Sequence, residues 1–103
     1  MFMKKWKGLS MDKFLQTLGL AYRAKKVILG EDVLDVINNI KLIIIASDIS
    51  DKSRERILKK CSFYNIDYID SYTSVDISNA LGKNNIKVIG IKDEGFKKSL
   101  LNK

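Results

Sequence analysis

The ten residues RAKKVILGED, at positions 23 to 32, place three cations, a short aliphatic run, one glycine and two acids in succession. Arg23, Lys25 and Lys26 carry the charge that neutralises phosphate groups. Gly30 has no side chain and so allows a ligand to approach the backbone closely. The N–H groups of a helix that begins at this glycine would face an anion. This order of residues predicts a surface that binds a polyanion.

Glu31 and Asp32 follow this glycine and leave two interpretations open. A carboxylate accepts hydrogen bonds, so both acids suit the amino and imino donors that RNA bases expose in loops and bulges. Alternatively, both acids only stabilise the positive end of a helix macrodipole. The first interpretation makes Glu31 and Asp32 candidate RNA-contacting residues.

A second candidate contact is the loop formed by Ser71, Tyr72 and Thr73, between a predicted strand and a predicted helix. If the strands run parallel, this loop shares a sheet edge with Gly30. Tyr72 would then stack on a base that is splayed out of an RNA strand. Packing of its ring on the neighbouring helix is the alternative.

Enzyme chemistry has little support in the sequence, which has no histidine and a single cysteine, Cys61. We expect Cys61 to be buried in a helix and expect no zinc site, no catalytic residue and no cofactor. Asp48 follows a buried strand, where a phosphorelay receiver carries its phosphorylated aspartate. Glu31 and Asp32 would then be the acidic pair that holds magnesium. A helix cap is the simpler role for Asp48.

Charge and length bound the class of protein. Nineteen Lys and Arg against twelve Asp and Glu give a net charge of +7, which favours a polyanionic partner such as nucleic acid over a merely soluble basic surface. No apolar run reaches the ~18 residues of a membrane span. The basic start MFMKKWKGLS lacks the apolar segment of a signal peptide. We therefore expect a cytoplasmic monomer with no membrane partner.

Alternating helix and strand patterns position these residues. Residues 1–9 are predicted to be a basic arm, and residues 10–103 a single domain. Strands are predicted at 27–29, 42–46, 68–69 and 87–91. Helices are predicted from Ser10 to about 24, from 31 to about 40, from Asp48 or Ser50 to about 64, from 73 to 82, and from Asp93 or Glu94 to 101. This alternation predicts a three-layer α/β/α sandwich with a mostly parallel or mixed four-stranded sheet.

Four blocks in this order, RAKKVILGED, LIIIASDIS, KKCSFYNIDY and LGKNNIKVIGIKDEGFKKSLL, resemble the bacterial YlxQ-type branch of the ribosomal protein L-seven-Ae superfamily. The resemblance covers residues 11–101, nearly the whole chain. It implies an α/β/α sandwich without catalytic activity. It also implies binding of kink-turn RNA, chiefly at tandem sheared G·A pairs, in ribosomes or other ribonucleoproteins.

The resemblance also implies roles for residues near the second helix. The family's glycine at the start of its RNA-facing helix falls on Gly30. A polar position two residues later, usually Asn in the strongest kink-turn binders, falls on Asp32, which cannot donate as Asn does. A further polar position falls on Val33, and a lysine that reaches a guanine falls on Val36. Neither valine makes polar contacts with a base, and the second helix is about one turn shorter than in the family.

Two further parts of the family's RNA surface have counterparts here. Lys25 and Lys26 match basic positions before the first strand, and the specificity loop falls on residues 70–74, where Tyr72 is the expected contact. The sequence therefore predicts a non-enzymatic, ribosome-associated RNA-binding protein. A protein-interaction module that kept the fold and lost kink-turn binding is the alternative.

Overall fold

The structure of the protein is a computed structural model, and it describes residues 13–101. The predicted arm of residues 1–9 and the predicted cap Ser10 lie outside the described residues. None of the helices in this range is long and apolar enough to cross a membrane. The elements are α1 (Lys13–Arg23), β1 (Val27–Leu29), α2 (Asp32–Asp35), a short 3-10 helix (Ile37–Asn39), β2 (Leu42–Ile45), α3 (Asp51–Tyr64), β3 (Asp67–Ile69), α4 (Ser74–Leu81), β4 (Val88–Ile91) and α5 (Glu94–Leu101).

The four strands form one mixed sheet in the order β1-β4-β2-β3. Strand β4 is antiparallel to both of its neighbours, whereas β2 and β3 are parallel. Strands β1, β2 and β3 therefore run in the same direction. We call one end of the sheet the carboxyl edge, with Gly30, Ala46, Asp70 and Lys87 just beyond the strands. The opposite end, with Lys26, Lys41, Ile66 and Lys92, is the amino edge.

Strand β2 is buried at all four positions because helices cover the sheet on both faces. Leu42 and Ile44 pack with residues of α1, α4 and α5. Ile43 and Ile45 pack with residues of α2, the 3-10 helix and α3. Each fully buried side chain of this size contributes about 1.5–3 kcal/mol. The predicted three-layer sandwich with a mixed sheet is confirmed.

The ends of α3 and α4 follow local sequence signals. The Ser50 hydroxyl accepts a hydrogen bond from the Ser53 N–H at 3.3 Å, so of the two predicted caps for α3 it is Ser50 that acts. Thr73 caps the start of α4, and Gly82 ends that helix with a φ of 70°. Cys61 is buried on the inner side of α3, as predicted, and burial raises the pKa of its thiol.

The predicted helix over residues 31–40 is wrong in its length, because α2 ends after four residues and a 3-10 helix follows. The cause is close packing on the sheet. A Cβ built on Gly90 of β4 would lie 2.7 Å from Ile40 Cδ1 and 3.1 Å from Val33 Cγ1. The chain therefore lies directly against the strand, and β-branched residues at 33, 36, 37 and 40 do not favour a continuous helix there.

Helices α1 and α4 should separate if Gly19 gains a side chain. A Cβ at this position would lie 2.9 Å from the carbonyl oxygen of Ala80, which is a backbone atom. Alanine has a helix propensity about 1 kcal/mol better than glycine, but overpacking costs about 1–3 kcal/mol. We expect Gly19→Ala to lower the free energy of unfolding in urea by about 1 kcal/mol. Ser62→Ala, at an exposed position of α3, is the control, and a more stable Gly19→Ala protein would contradict this packing.

Candidate functional site

A cleft of about 280 Å³ lies at the carboxyl edge of the sheet. Its walls are the start of α2, the first turns of α3 and the segment that leads into β4. Its apolar lining includes Leu34, Ile49 and Ile57. Its polar lining consists of Glu31, Ser50, Ser53, Arg56, Asn85 and Lys87.

Gly30 forms one wall of this cleft in a conformation that favours glycine. Its φ is 68°, a left-handed conformation that costs other residues about 1–2 kcal/mol. Its N–H donates to the carbonyl oxygen of Val88 at 2.9 Å, which fixes the turn against β4. Apart from Gly30 itself and its two chain neighbours, no residue has an atom within 4 Å of the position that a Cβ would occupy. The backbone at Gly30 is therefore open to a ligand.

The predicted row of free N–H groups at the start of the second helix needs correction. The Val33 N–H donates to the Gly30 carbonyl at 3.1 Å, and the Leu34 N–H donates to the Glu31 carbonyl at 3.2 Å. Since α2 has only four residues, few peptide dipoles add along it. What remains of the predicted helix entrance is the open backbone of Gly30.

Glu31 turns towards α3. Nη2 of Arg56 lies 3.1 Å from Oε1 of Glu31 and 3.2 Å from Oε2, and the Glu31 side chain makes no capping bond at α2. Both side chains are more than half exposed, and such surface pairs contribute about 0–1 kcal/mol. A ligand phosphate can therefore replace this carboxylate on Arg56. Asp32 is exposed at the first position of α2.

Three interactions hold the loop of residues 70–74 at the carboxyl edge. Asp70 forms an ion pair with Arg54 of α3, which raises the pKa of the Arg54 guanidinium. The Tyr72 carbonyl accepts a hydrogen bond from the Ser47 N–H at 2.8 Å. The N–H and hydroxyl of Ser74 donate to the two carboxylate oxygens of Asp48 at 2.8 and 2.7 Å. The loop is therefore anchored to its neighbours from both ends.

The ring of Tyr72 packs within the protein. It stacks on Phe14 of α1 with a centroid distance of 4.6 Å and an interplanar angle of 10°. The structure therefore shows Tyr72 packed on a helix of the protein, which was the alternative to stacking on an RNA base. Ser71 and Thr73 are exposed, and the Thr73 hydroxyl accepts from the Asp76 N–H. This loop shares the edge of Gly30, but three strand spacings of about 14 Å separate them.

The three cations of the RAKKVILGED block lie elsewhere. Arg23, Lys25 and Lys26 are exposed, but they precede β1 and therefore lie at the amino edge. Four residues of extended chain place Lys26 about 13 Å from Gly30. The prediction of one surface formed by these cations and Gly30 is corrected, because residues at the two ends of a strand face opposite edges.

Two residues that line the cleft together with Gly30, Lys87 and Asn85, were not singled out from the sequence for this site. Lys87 precedes β4 and is exposed, and its carbonyl accepts from the Ala46 N–H at 2.8 Å. Asn85 precedes it with a φ of 60°. Both lie at this edge because β4 is antiparallel, a direction that the sequence pattern left open. The two adjacent asparagines of KNNIK were a sequence signal for the turn that places these residues before β4.

Asp48 links two loops and does not cap α3. The hydrogen bonds from Ser74 to both of its oxygens hold the pKa of the carboxyl below its usual value of 3.8. Between residues 13 and 101, no three His, Cys, Asp or Glu side chains are grouped as a metal site requires. With Glu31 held by Arg56, the receiver hypothesis has no support in these contacts.

Two bacterial proteins are similar to this chain over most of its length. RNA-binding protein YlxQ of Enterococcus faecium is 34% identical over 90 residues, which are 84% of this chain and 86% of that protein. RNA-binding protein YlxQ of Bacillus subtilis (strain 168) is 33% identical over 87 residues, 82% of this chain and 87% of that protein. No family profile matches the chain.

Solved structures show the same fold. A protein of unknown function from Bacillus halodurans C superimposes with a TM-score of 0.83 at 34% identity and covers 85% of this chain and 92% of its own. The Giardia lamblia 15.5kD RNA binding protein superimposes with a TM-score of 0.72 over 93% of this chain and 84% of its own. At 16% identity, this second match shows a shared fold alone.

Asp48→Asn should change how stability depends on acidity. The pKa of Asp48 is lower in the folded protein than in the unfolded chain. Its contribution to the free energy of unfolding is therefore complete at a pH above the unfolded pKa, and it is lost as the pH falls through the folded pKa. We expect the asparagine variant to lose less unfolding free energy than the parent protein between about pH 4 and pH 2. Urea titrations across this range measure the effect. Asp35→Asn is the control, and parallel curves for the parent and Asp48→Asn would refute the coupling.

Proposed function

This chain belongs to the YlxQ family of RNA-binding proteins, and on that basis we propose that it binds structured RNA through the carboxyl edge of its sheet. Its net charge of +7 supports a polyanionic ligand. The observation that carries the proposal is Gly30, whose left-handed backbone borders the cleft and leaves open the space that a side chain would fill. Because the Gly30 N–H and carbonyl are bonded to Val88 and Val33, this open space would admit an RNA segment by its shape and not through hydrogen bonds from Gly30.

Each wall of the cleft would make a different contact with RNA. Lys87 neutralises a phosphate, and Arg56 exchanges the carboxylate of Glu31 for another phosphate. The amide of Asn85 both donates and accepts hydrogen bonds, as the edge of a base requires. Phosphate contacts position the RNA and supply most of the affinity, while contacts with base edges add selectivity.

The RNA that we propose is a kink-turn or a similar bend, in a ribosome or another ribonucleoprotein of the cytoplasm. The protein acts there as a monomer and catalyses no reaction. Asp32 is exposed beside Gly30, where its carboxylate accepts from exocyclic amino groups. Val33 is fully buried and Val36 is half-buried, so neither makes the base contact of its family position. Affinity for RNA therefore rests mainly on the phosphate contacts.

The buried Val33 also favours a second candidate function. A chain that has lost the polar base contacts but kept the fold would act as a protein-interaction module. RNA binding separates the two candidate functions directly.

Gly30→Asn tests the carboxyl edge with little disturbance of the fold. Asparagine tolerates a positive φ better than other residues with side chains, so the turn is kept while a side chain enters the open space. We expect RNA affinity to fall about tenfold, which is about 1.4 kcal/mol. Fluorescence anisotropy with a labelled kink-turn RNA and with a straight duplex of the same length measures both the loss and the specificity.

Gly82→Asn is the matched control for this substitution. Gly82 has a φ of 70° and equally open surroundings, but it does not line the cleft. The Gly82→Asn protein should bind RNA with the affinity of the parent protein. Equal affinities for Gly30→Asn and the parent would remove the carboxyl edge from the interface, and a parent protein that binds neither RNA would favour the protein-interaction module.

A further inference from the structure

Three lysines lie side by side at the amino edge of the sheet. Ile91 of β4 pairs with the first residue of β1 on one side and with the first residue of β2 on the other. One step outward, the same register aligns Lys26, Lys92 and Lys41 on three neighbouring strands. Hydrogen bonds from the Lys92 N–H to the Lys26 carbonyl (2.9 Å) and from the Lys41 N–H to the Ile91 carbonyl (2.7 Å) fix this alignment. With strands about 4.8 Å apart, the row spans about 10 Å.

Two further cations extend this row. Arg23 lies in the last turn of α1, and Lys25 lies in the turn that follows, where its N–H donates to the Tyr22 carbonyl at 3.0 Å. We call the five residues Arg23, Lys25, Lys26, Lys41 and Lys92 the lysine edge. All five are exposed.

Nearby acids do not neutralise the lysine edge. Within residues 13–101, none of its five cations has a carboxylate oxygen within the 4.0 Å of an ion pair. Asp67 begins the neighbouring strand β3 at this end of the sheet, but it pairs with Lys97 at 3.5 Å. Asp93 follows Lys92, but its Oδ2 accepts from the Phe96 N–H at 2.9 Å and so faces α5.

Like charges on adjacent strand ends repel each other and destabilise a sheet. The lysine edge therefore lowers the stability of the fold when nothing is bound. A polyanion relieves this repulsion, and it also releases its own condensed counterions when lysines approach its phosphates. A partner with closely spaced negative charges along a line fits a row about 10 Å long better than a single small anion does.

From this arrangement we infer that the lysine edge is a second RNA-binding surface, which contacts the phosphate backbone of a segment separate from the one held at the carboxyl edge. The inference rests on the proposed RNA binding. The two surfaces lie at opposite ends of the strands, about 13 Å apart along β1. The cleft at the carboxyl edge recognises the local shape of the RNA, whereas the lysine edge adds affinity that does not depend on the RNA sequence.

The test compares two triple variants with the same change in net charge. Lys26, Lys41 and Lys92 are replaced by glutamine in one. In the control, glutamine replaces Lys13, Lys59 and Lys98, which are exposed on three different helices. Affinity for a labelled kink-turn RNA with extended helical arms is measured by anisotropy at several salt concentrations. Thermal melting at low salt is measured in parallel.

We expect the lysine-edge variant to lose about ten-fold or more in affinity and to reduce the slope of log K against log salt by about 2–3, since each phosphate contact contributes about 0.9. The control variant should change the slope by less than half as much. Relief of repulsion should make the lysine-edge variant melt at a higher temperature than the parent. This combination of weaker binding and higher stability separates a contact surface from a merely structural one.

Equal slopes and affinities for the two triple variants would overturn the inference and leave the proposed function standing. A lysine-edge variant with the affinity and the salt slope of the parent protein would overturn the inference in the same way. Failure of the parent protein to bind the RNA at all would overturn the proposed function, and this inference with it.

Discussion

Strand β2 lies between β4 and β3, and its four side chains are buried alternately in the two layers of helices. A slip of one residue would turn every one of these side chains to the opposite face. The register of the sheet is therefore fixed by burial of apolar area, which is the largest favourable contribution to folding. Because the register is fixed, so are the residues that stand at each end of the strands. The positions of Gly30 and Lys87 at one edge, and of Lys26, Lys41 and Lys92 at the other, follow from this packing.

The two edges of the sheet differ in their chemistry. The carboxyl edge has a cleft in which a cation pairs with an acid, Arg56 with Glu31, beside an open glycine backbone. Such a mixture suits recognition of shape and base edges, because donors and acceptors lie close together. The lysine edge carries only positive charge, and none of its five residues lines the cleft. Such an edge suits the phosphate backbone, whose binding depends more on charge neutralisation than on the direction of hydrogen bonds. Hydrogen bonds from Ser47 and Ser74 anchor the loop of residues 70–74, so this part of the carboxyl edge is held in place by the fold itself.

Much of the fold could be predicted from the sequence because its signals are local. The apolar run of β2, the Ser50 and Thr73 caps and Gly82 each specify a boundary within a few residues. The site could be predicted less well because it depends on strand direction. Lys25 and Lys26 are neighbours of Gly30 in the sequence but lie at the other edge, whereas Lys87 is distant in the sequence and lies beside it. The stacking of Tyr72 on Phe14 and the early end of α2 also depend on tertiary packing.

Amide chemical-shift mapping tests the central claim most directly, because it reports every backbone position in one titration. Isotope-labelled protein is titrated with kink-turn RNA at moderate salt. The account predicts the largest shifts at the carboxyl edge, at Gly30, Glu31, Asn85 and Lys87, with smaller shifts along the lysine edge. Shifts confined to the layer of α1, α4 and α5, with Gly30 and Lys87 unchanged, would contradict it.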